Sequence, residues 1–386
     1  MKHILCLDIG GTTPRLAMVA IHGFDNYKIL FQQKADKNQD SIIPAINQFL
    51  NWSAHEKGWT TNTCVASVAG PVFNNSCEKP TNAKFPIIGS QIQHETACNN
   101  VLVINDFAGI GEAVATLHPP AGKLMPVPGF QEGDELGTPT FIPPPDTHGP
   151  RGVIGPGTGL GIAYLRWEGS GYAVHPSEGG HAGIDGGRGT YLLLEFIRNK
   201  LDIGKISAET LVSGQGIRHI AHFLLTHPKS MKAILATRPA IAKDIAAFEQ
   251  TKQVKTTDKE ILTAILTENA DGNLQKDAAE IIAHSVTKSP AALLTMRLFM
   301  EFLGSAAQDL ALQGMTTGGL FLAGGILPRN KEILMKGDFM RAFYDNWKES
   351  SRNMLRKIPV YLIEDYDISF YGCARAGDLK FHDLTA

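Results

Sequence analysis

Two apolar runs separated by a glycine-rich turn open the chain. Ile4-Leu5-Cys6-Leu7 leads into Asp8-Ile9-Gly10-Gly11-Thr12-Thr13-Pro14-Arg15, and Leu16-Ala17-Met18-Val19-Ala20-Ile21 follows at once. The pattern predicts a β-hairpin whose tip carries little side-chain bulk. Gly10 and Gly11 let backbone N–H groups approach an anionic ligand, and the hydroxyls of Thr12 and Thr13 add donors. Asp8 falls where a strand should be buried, and an unpaired carboxylate there is costly. A cation, bound directly or through water, would satisfy it. A tight hairpin without a ligand explains the glycines but neither Asp8 nor the threonines.

Other glycine-rich phosphate loops fail on context. A dinucleotide fold needs G-x-G-x-x-G opening a helix, whereas Pro14 and a strand-like run follow Thr13. A Walker A loop needs a lysine after its last glycine, and none follows Gly11. A second candidate turn repeats the logic of the first. Val153-Ile154 runs into Gly155-Pro156-Gly157-Thr158-Gly159-Leu160-Gly161, and an apolar run resumes at Ile162. Two such hairpins, one per domain and facing each other, would cradle a nucleotide's phosphates from opposite sides.

Composition narrows the class. With 386 residues, two domains are the default, and 43% hydrophobic with 19% charged content fits an ordinary soluble globular protein. Basic and acidic residues number 36 and 38 without a block of one sign, so neither nucleic acid nor an anionic membrane is an expected partner. Five cysteines lack C-x-x-C spacing, which suits a reducing compartment and argues against structural zinc. The first apolar stretch is broken by Asp8 and has no cleavage-site pattern, so no signal peptide is expected. No apolar run approaches bilayer length. The expected location is cytoplasmic, or an organelle lumen.

Along the chain, residues 1 to about 107 read as a small α/β unit, with helix 41–57, strand 64–68 and buried strand 101–104, then a helix near 109–117. Residues 118–150 are rich in Pro and Gly and are expected to be a loop excursion outside the core. Beyond Tyr191 the pattern is mostly helical. Thr257-Asp258-Lys259-Glu260 reads as a capping box ahead of 261–268, and Ser289-Pro290 starts the longest helix. A strand at 319–322, a strand at 359–363 and a last helix from about Ser369 complete the chain.

Four further segments carry chemistry. In Ile104-Asn105-Asp106-Phe107, Asp106 ends a buried strand just before a helix, the sheet edge where ligands bind. A carboxylate there can take the proton of a phosphoryl-accepting hydroxyl; alternatively, it merely caps the helix. Asn105 can both donate and accept, which suits a polyol. In Ser177-Glu178-Gly179-Gly180-His181, Glu178 and His181 flank glycines that remove steric cover, so both can converge on a small polar ligand. A metal site there is disfavoured by Pro176 and the glycines. Glu209 either completes that ring or is a first-turn helix acid. Gly324 and Gly325, delivered by an apolar strand, offer a flat surface for an adenine or ribose, and Asn82 can donate from a loop. His219, His222 and His227 on one predicted helix are expected on its solvated face.

Taken in order, these segments resemble the bacterial-type glucokinases, also found in some protists, within the hexokinase/actin-like ATPase superfamily. Residues 8–15 look like the first phosphate loop, 104–107 the catalytic aspartate segment, 155–161 the second phosphate loop, 178–181 and 207–214 the sugar-contact segments, and 323–329 the adenosine region. The resemblance implies a two-domain actin-like ATPase (ribonuclease H-like) α/β fold with a cleft between a small and a large domain. The small domain would comprise 1–107 plus about 368–386, with the last helix packed back on it, and the large one 108–367. It further implies ATP-dependent phosphorylation of the glucose 6-hydroxyl with Mg2+. Asp106 would be the general base, and Asn82, Asn105, Glu178, His181 and Glu209 would hold sugar. The nucleotide would meet Asp8, Gly10, Gly11, Thr12, Thr13, Gly157, Thr158, Gly159, Gly324 and Gly325, with Asp8 reaching Mg2+ through water. Homodimerisation is a family-level expectation.

The related ROK kinases share the glutamate–histidine loop but carry a cysteine-rich zinc loop after it. No cysteine stands between Cys98 and Cys373, so that subgroup is not favoured; nor is there room before Ile4 for the DNA-binding domain of ROK repressors. Thr13-Pro14 departs from the usual Asn or Ser followed by a small residue. Two other readings stay open at this point. One is a kinase for another hexose or amino sugar; the other is a non-catalytic sugar sensor on the same fold.

Overall fold

A computed structural model describes residues 2–10, 13–23, 25–36, 39–81, 83–117, 124–131, 139–246, 252–267 and 277–381. Gly11, Thr12 and Asn82, named above as ligand contacts, lie outside the described residues. The chain divides into two compact units, one of Met1–Leu124, Gly161–Glu178 and Glu364–Ala386, the other of Met125–Leu160 and Gly179–Ile363. Both are mixed α/β.

In the first unit the strands β1 (Lys2–Ile9), β2 (Arg15–Gly23), β3 (Asn26–Lys34), β4 (Thr63–Val68) and β5 (Asn100–Asn105) form one sheet in the order β3-β2-β1-β4-β5. β1 and β2 are the antiparallel hairpin the sequence predicts, with Asp8 directly opposite Arg15. β1–β4 and β4–β5 are parallel. Both faces of β1 are covered, which is why it reads as a continuous apolar run. Leu5 and Leu7 pack with Ile46 and Phe49 of helix α1 (Ile43–Lys57). Ile4 and Cys6 pack with Phe370, Cys373 and Ala374 of the C-terminal helix, Ile368–Phe381.

That last helix is held by close approach and by charge. Gly372 sits so near the Gly109 carbonyl of helix α2 (Asp106–Thr116) that a Cβ there would collide with it. Arg375 pairs with Glu112 of α2 and, at 3.2 Å, with Asp25. α2 also packs on the antiparallel hairpin of strands Leu160–Trp167 and Tyr172–Ser177, Gly111 lying against Val174. The first unit therefore takes in α2 and most of this hairpin.

In the second unit, β6 (Leu124–Val127), β7 (Arg151–Pro156), β8 (Gly319–Leu322) and β9 (Val360–Ile363) are ordered β7-β8-β9-β6. β7–β8 and β8–β9 are parallel. Among its helices are α3 (Tyr191–Leu201), α4 (Ala208–Leu211), α5 (Gly214–Thr226), α6 (Lys252–Leu266) and the long buried α7 (Pro290–Gly314). Two expectations need correcting. The stretch 118–150 is not wholly outside the core: β6 is an edge strand, and Val127 and Phe130 are buried. Residues 257–260 are not a helix start but lie inside α6, where Asp258 accepts from Ser289 Oγ at 2.5 Å. Ser289 itself caps α7, accepting from Ala292 N–H. Among the described residues no helix is long and apolar enough to cross a membrane.

Candidate active site

In the first unit the chemistry gathers around the β1–β2 turn. Asp8 and Arg15, paired in register, form an ion pair at 2.5 Å, and Arg15 also reaches Asp367 at 2.6 Å. Ser369 Oγ donates to Asp8 Oδ2 at 3.1 Å, and Gly10 N–H donates to Asp8 Oδ1 at 3.2 Å. Asp8 thus does not need a cation to offset its burial, because a guanidinium already does so. The Arg15 plane also stacks over Tyr366 at 4.4 Å and Phe370 at 4.7 Å. The turn is anchored to the start of the C-terminal helix.

Gly10 bridges two carboxylates. A Cβ there would sit 3.3 Å from Asp8 Oδ1 and 3.2 Å from Asp106 Oδ2, so Gly10 lies directly against the candidate base. Asp106 is the first residue of α2, and its Oδ1 accepts the Phe107 N–H at 3.0 Å. It keeps some accessible surface yet is densely surrounded by protein. Burial, the neighbouring Asp8 and the charge of Glu178 raise its pKa to about 7. The Phe107 N–H and the helix start favour the ionised form, but burial and the like charge outweigh them.

The cap of α2 is Asn105, not Asp106. Asn105 Oδ1 accepts from Phe107 N–H at 2.9 Å and Ala108 N–H at 3.2 Å, while its Nδ2 donates to the Gly70 carbonyl. The sequence alternatives for Asp106 were base or cap. Its neighbour carries out the capping and leaves Asp106 Oδ2 facing Gly10.

The second glycine turn is built differently. Gly157 N–H donates to the Gly159 carbonyl at 2.8 Å, and Gly214 N–H at the start of α5 donates to the Gly157 carbonyl at 2.9 Å. Glu209, in the first turn of α4, accepts the Leu160 N–H at 2.8 Å through Oε2 and faces His181 Nδ1 at 3.9 Å through Oε1. A Cβ at Gly180 would collide with the Leu160 carbonyl, and one at Gly159 would push the Glu209 carboxylate from its place on Leu160. Gly324 takes φ +87° and rests against the Pro156 carbonyl, next to the same turn. Gly325 precedes the short helix Ile326–Arg329. Thr158 is exposed at the tip, and Thr13 stays in the first turn.

Sequence reasoning did not identify Arg15 and Ser369 as partners of Asp8, or Asp367 as a second partner of Arg15. The first had a signal: two charges of opposite sign flank a hairpin turn symmetrically. Of the three histidines expected on a solvated face, His219 departs from it. His219 is buried, whereas His227 is exposed and stacks on Phe223. Among the described residues no group of three or more His, Cys, Asp or Glu forms a metal cage.

The family model described as Glucokinase matches residues 5–379. A glucokinase of Nostoc punctiforme is 31% identical over 97% of this chain and 98% of its own length. Among solved structures, the glucokinase of an Antarctic psychrotroph is 25% identical, covers 98% of this chain and 99% of that one, and superposes with a TM-score of 0.67. The glucokinase of Balamuthia mandrillaris in complex with glucose shares the fold at 22% identity, covering 97% of this chain and 93% of that one with a TM-score of 0.70. The chain belongs to the glucokinase family, whose reaction is the ATP-dependent phosphorylation of glucose.

Proposed function

We propose that Asp106 takes the proton of the glucose 6-hydroxyl as that oxygen attacks the γ-phosphorus of ATP. The observation that carries this reading is the setting of the carboxyl. It stands at the C-terminal end of a parallel strand, beneath the backbone of a glycine turn, and its pKa is raised to about 7. A base with a pKa near the working pH combines a substantial ionised fraction with real proton affinity. The position of Asn105 leaves it a supporting part: it fixes the start of α2 and so the direction of Asp106.

Each remaining role follows from local chemistry. Glu178, whose charge is felt at Asp106, is the first unit's further acceptor for a sugar hydroxyl. In the second unit, His181 and Glu209 offer a donor–acceptor pair suited to hydroxyls. The 155–161 turn is the phosphate contact in this reading, and Gly324 and Gly325, beside it, the adenosine contact; Gly324 needs no side chain because it rests against the Pro156 carbonyl. Discrimination among hexoses would come from hydroxyls left unpaired in the wrong sugar, worth up to about 10⁴-fold.

The donor set suits hydrated Mg2+, which favours hard oxygen ligands and keeps most of its waters. Asp8 and Asp106 turn one carboxylate oxygen each toward Gly10, while Arg15 and Ser369 engage the other oxygen of Asp8. When bound with the nucleotide, the ion would supply neutralisation of phosphate charge. The test is ADP release across a panel of hexoses and amino sugars, with the product identified by a dehydrogenase specific for glucose 6-phosphate. Glucose-dependent release giving that product is expected. ADP release with another sugar and none with glucose would contradict the reading, as would silence on every sugar with nucleotide bound.

A further inference from the structure

Helix α2, which begins at Asp106, is hemmed in on several sides, and in three places its own backbone makes the approach. A Cβ at Gly109 would sit 2.8 Å from Ser67 Oγ of β4, and one at Gly111 would sit 2.7 Å from Val174. One at Gly372 of the C-terminal helix would run into the Gly109 carbonyl. The fourth contact differs in kind. Phe107 sends its ring out of the helix to the strand Leu160–Trp167, where it lies so tightly on Gly161 that a Cβ at that position would fall inside the ring. Phe107 is only 8% exposed.

Gly161 is not required by its backbone. Its φ is not in the left-handed region, so the conformation suits any residue, and what glycine provides is the space that the ring fills. Backbone contacts fix how near a helix lies to its neighbours but resist rotation about its axis weakly. A side chain seated in a close-packed recess cannot turn without displacing what surrounds it. Phe107 is joined to the neighbouring carboxyl as well, because its N–H donates to Asp106 Oδ1 at 3.0 Å and to Asn105 Oδ1 at 2.9 Å. A turn of α2 by about 10° carries a carboxylate about 5 Å from the axis through roughly 0.9 Å. A misplacement of about 1 Å can cost on the order of 10²-fold in rate.

We propose that Gly161 is a positioning residue for the phosphoryl transfer: by taking in the Phe107 ring it sets the rotation of α2 and so the direction of the Asp106 carboxyl. This role is separate from the phosphate contact proposed for the rest of the 155–161 turn. The inference rests on Asp106 acting as the base.

The experiment measures kcat, the KM for ATP and calorimetric glucose affinity in Gly161→Ala, Phe107→Leu, Phe107→Ala and the double variant Gly161→Ala with Phe107→Ala. Circular dichroism establishes that each is folded. In Gly161→Ala the ring must yield by on the order of 1 Å to regain ordinary contact. Its kcat should fall roughly 10- to 10²-fold, while the KM for ATP and the glucose affinity change by less than about threefold, the pattern of an interaction realised in the transition state. Phe107→Leu adds no bulk at Gly161 and should show the same split more weakly, which decides the matter where Gly161→Ala does not fold. Once the ring is gone the added methyl group has space. The double variant should therefore match Phe107→Ala in kcat within about twofold. A Gly161→Ala enzyme that keeps its kcat and raises the KM for ATP would overturn the proposal, as would losses that simply add in the double variant. Asp106→Asn, assayed alongside, separates this inference from the reading beneath it. Turnover retained there ends both; turnover lost there but intact in Gly161→Ala and Phe107→Leu ends the positioning role alone.

Discussion

At the first glycine turn the restraints are charged side chains: Asp8 opposite Arg15, with Asp367 and Ser369 reaching in from the start of the C-terminal helix. At the second they are mainly backbone groups. Gly157, Gly159 and Gly214 are joined through their own amides, and one carboxylate, Glu209, accepts the Leu160 N–H. Both segments have the same strand–glycine–strand pattern in sequence. The difference lies in what each must do. Gly10 of the first turn lies against Asp106, the carboxyl proposed as the base, and the flanking strands are fixed by charge. The carboxylate at the second turn, Glu209, is engaged by the Leu160 N–H, and the turn is fixed by how closely glycine lets the chain approach its neighbours. A charge deletion should therefore damage the first turn, and an added methyl group the second.

The largest effect is expected where the first turn has no counterpart in the second. Asp106→Asn should lower kcat by about 10²–10⁴-fold while glucose still binds, as measured by a coupled assay and calorimetry. The same variant tests the burial. The folded state holds the pKa of Asp106 above its unfolded value, so it favours the protonated acid. The stability this contributes is present below the ordinary carboxylate range and is lost as pH rises through about 7. Asp106→Asn should therefore melt higher than the parent at pH 8 and not near pH 4.

Next in size is Arg15→Met, which strands Asp8 in a largely enclosed site. It should cost about 3 kcal/mol in denaturant unfolding. Glu209→Gln should cost less than about 1 kcal/mol, since its amide oxygen can still accept from Leu160. Equal losses would erase the contrast between the turns. At the second turn, Gly159→Ala pushes a methyl group onto Glu209 and should raise the KM for ATP roughly tenfold or more. Gly157→Ala is the smallest effect. A Cβ there meets nothing within 4 Å, so the KM should change by about twofold at most.

Much of this was legible in the sequence because it is local. The β1–β2 hairpin, the buried strand before Asp106, the long helix behind Ser289 and both glycine turns are carried by neighbouring residues. What the sequence concealed is non-local or degenerate. The bond from Leu160 to Glu209 spans 49 residues and that from Ser369 to Asp8 spans 361, so no local pattern announces them. Thr257 to Glu260 carries a capping signature but lies within α6, where the same residues serve a helix interior and Asp258 finds Ser289 instead. His219 on α5 turns toward the buried side while His227, just past the helix end, is exposed, and histidine itself gives no sign of which side it occupies.

In the proposed mechanism Asp106 must lose its proton to act, while its surroundings raise its pKa to about 7. The pH dependence of kcat/KM for glucose tests it most directly. The account predicts a rise with unit slope on the acid side and an apparent pKa near 7, absent from the residual activity of Asp106→Asn. A rate that stays flat down to the ordinary carboxylate range, or an acid limb of the same midpoint retained in that variant, would contradict it.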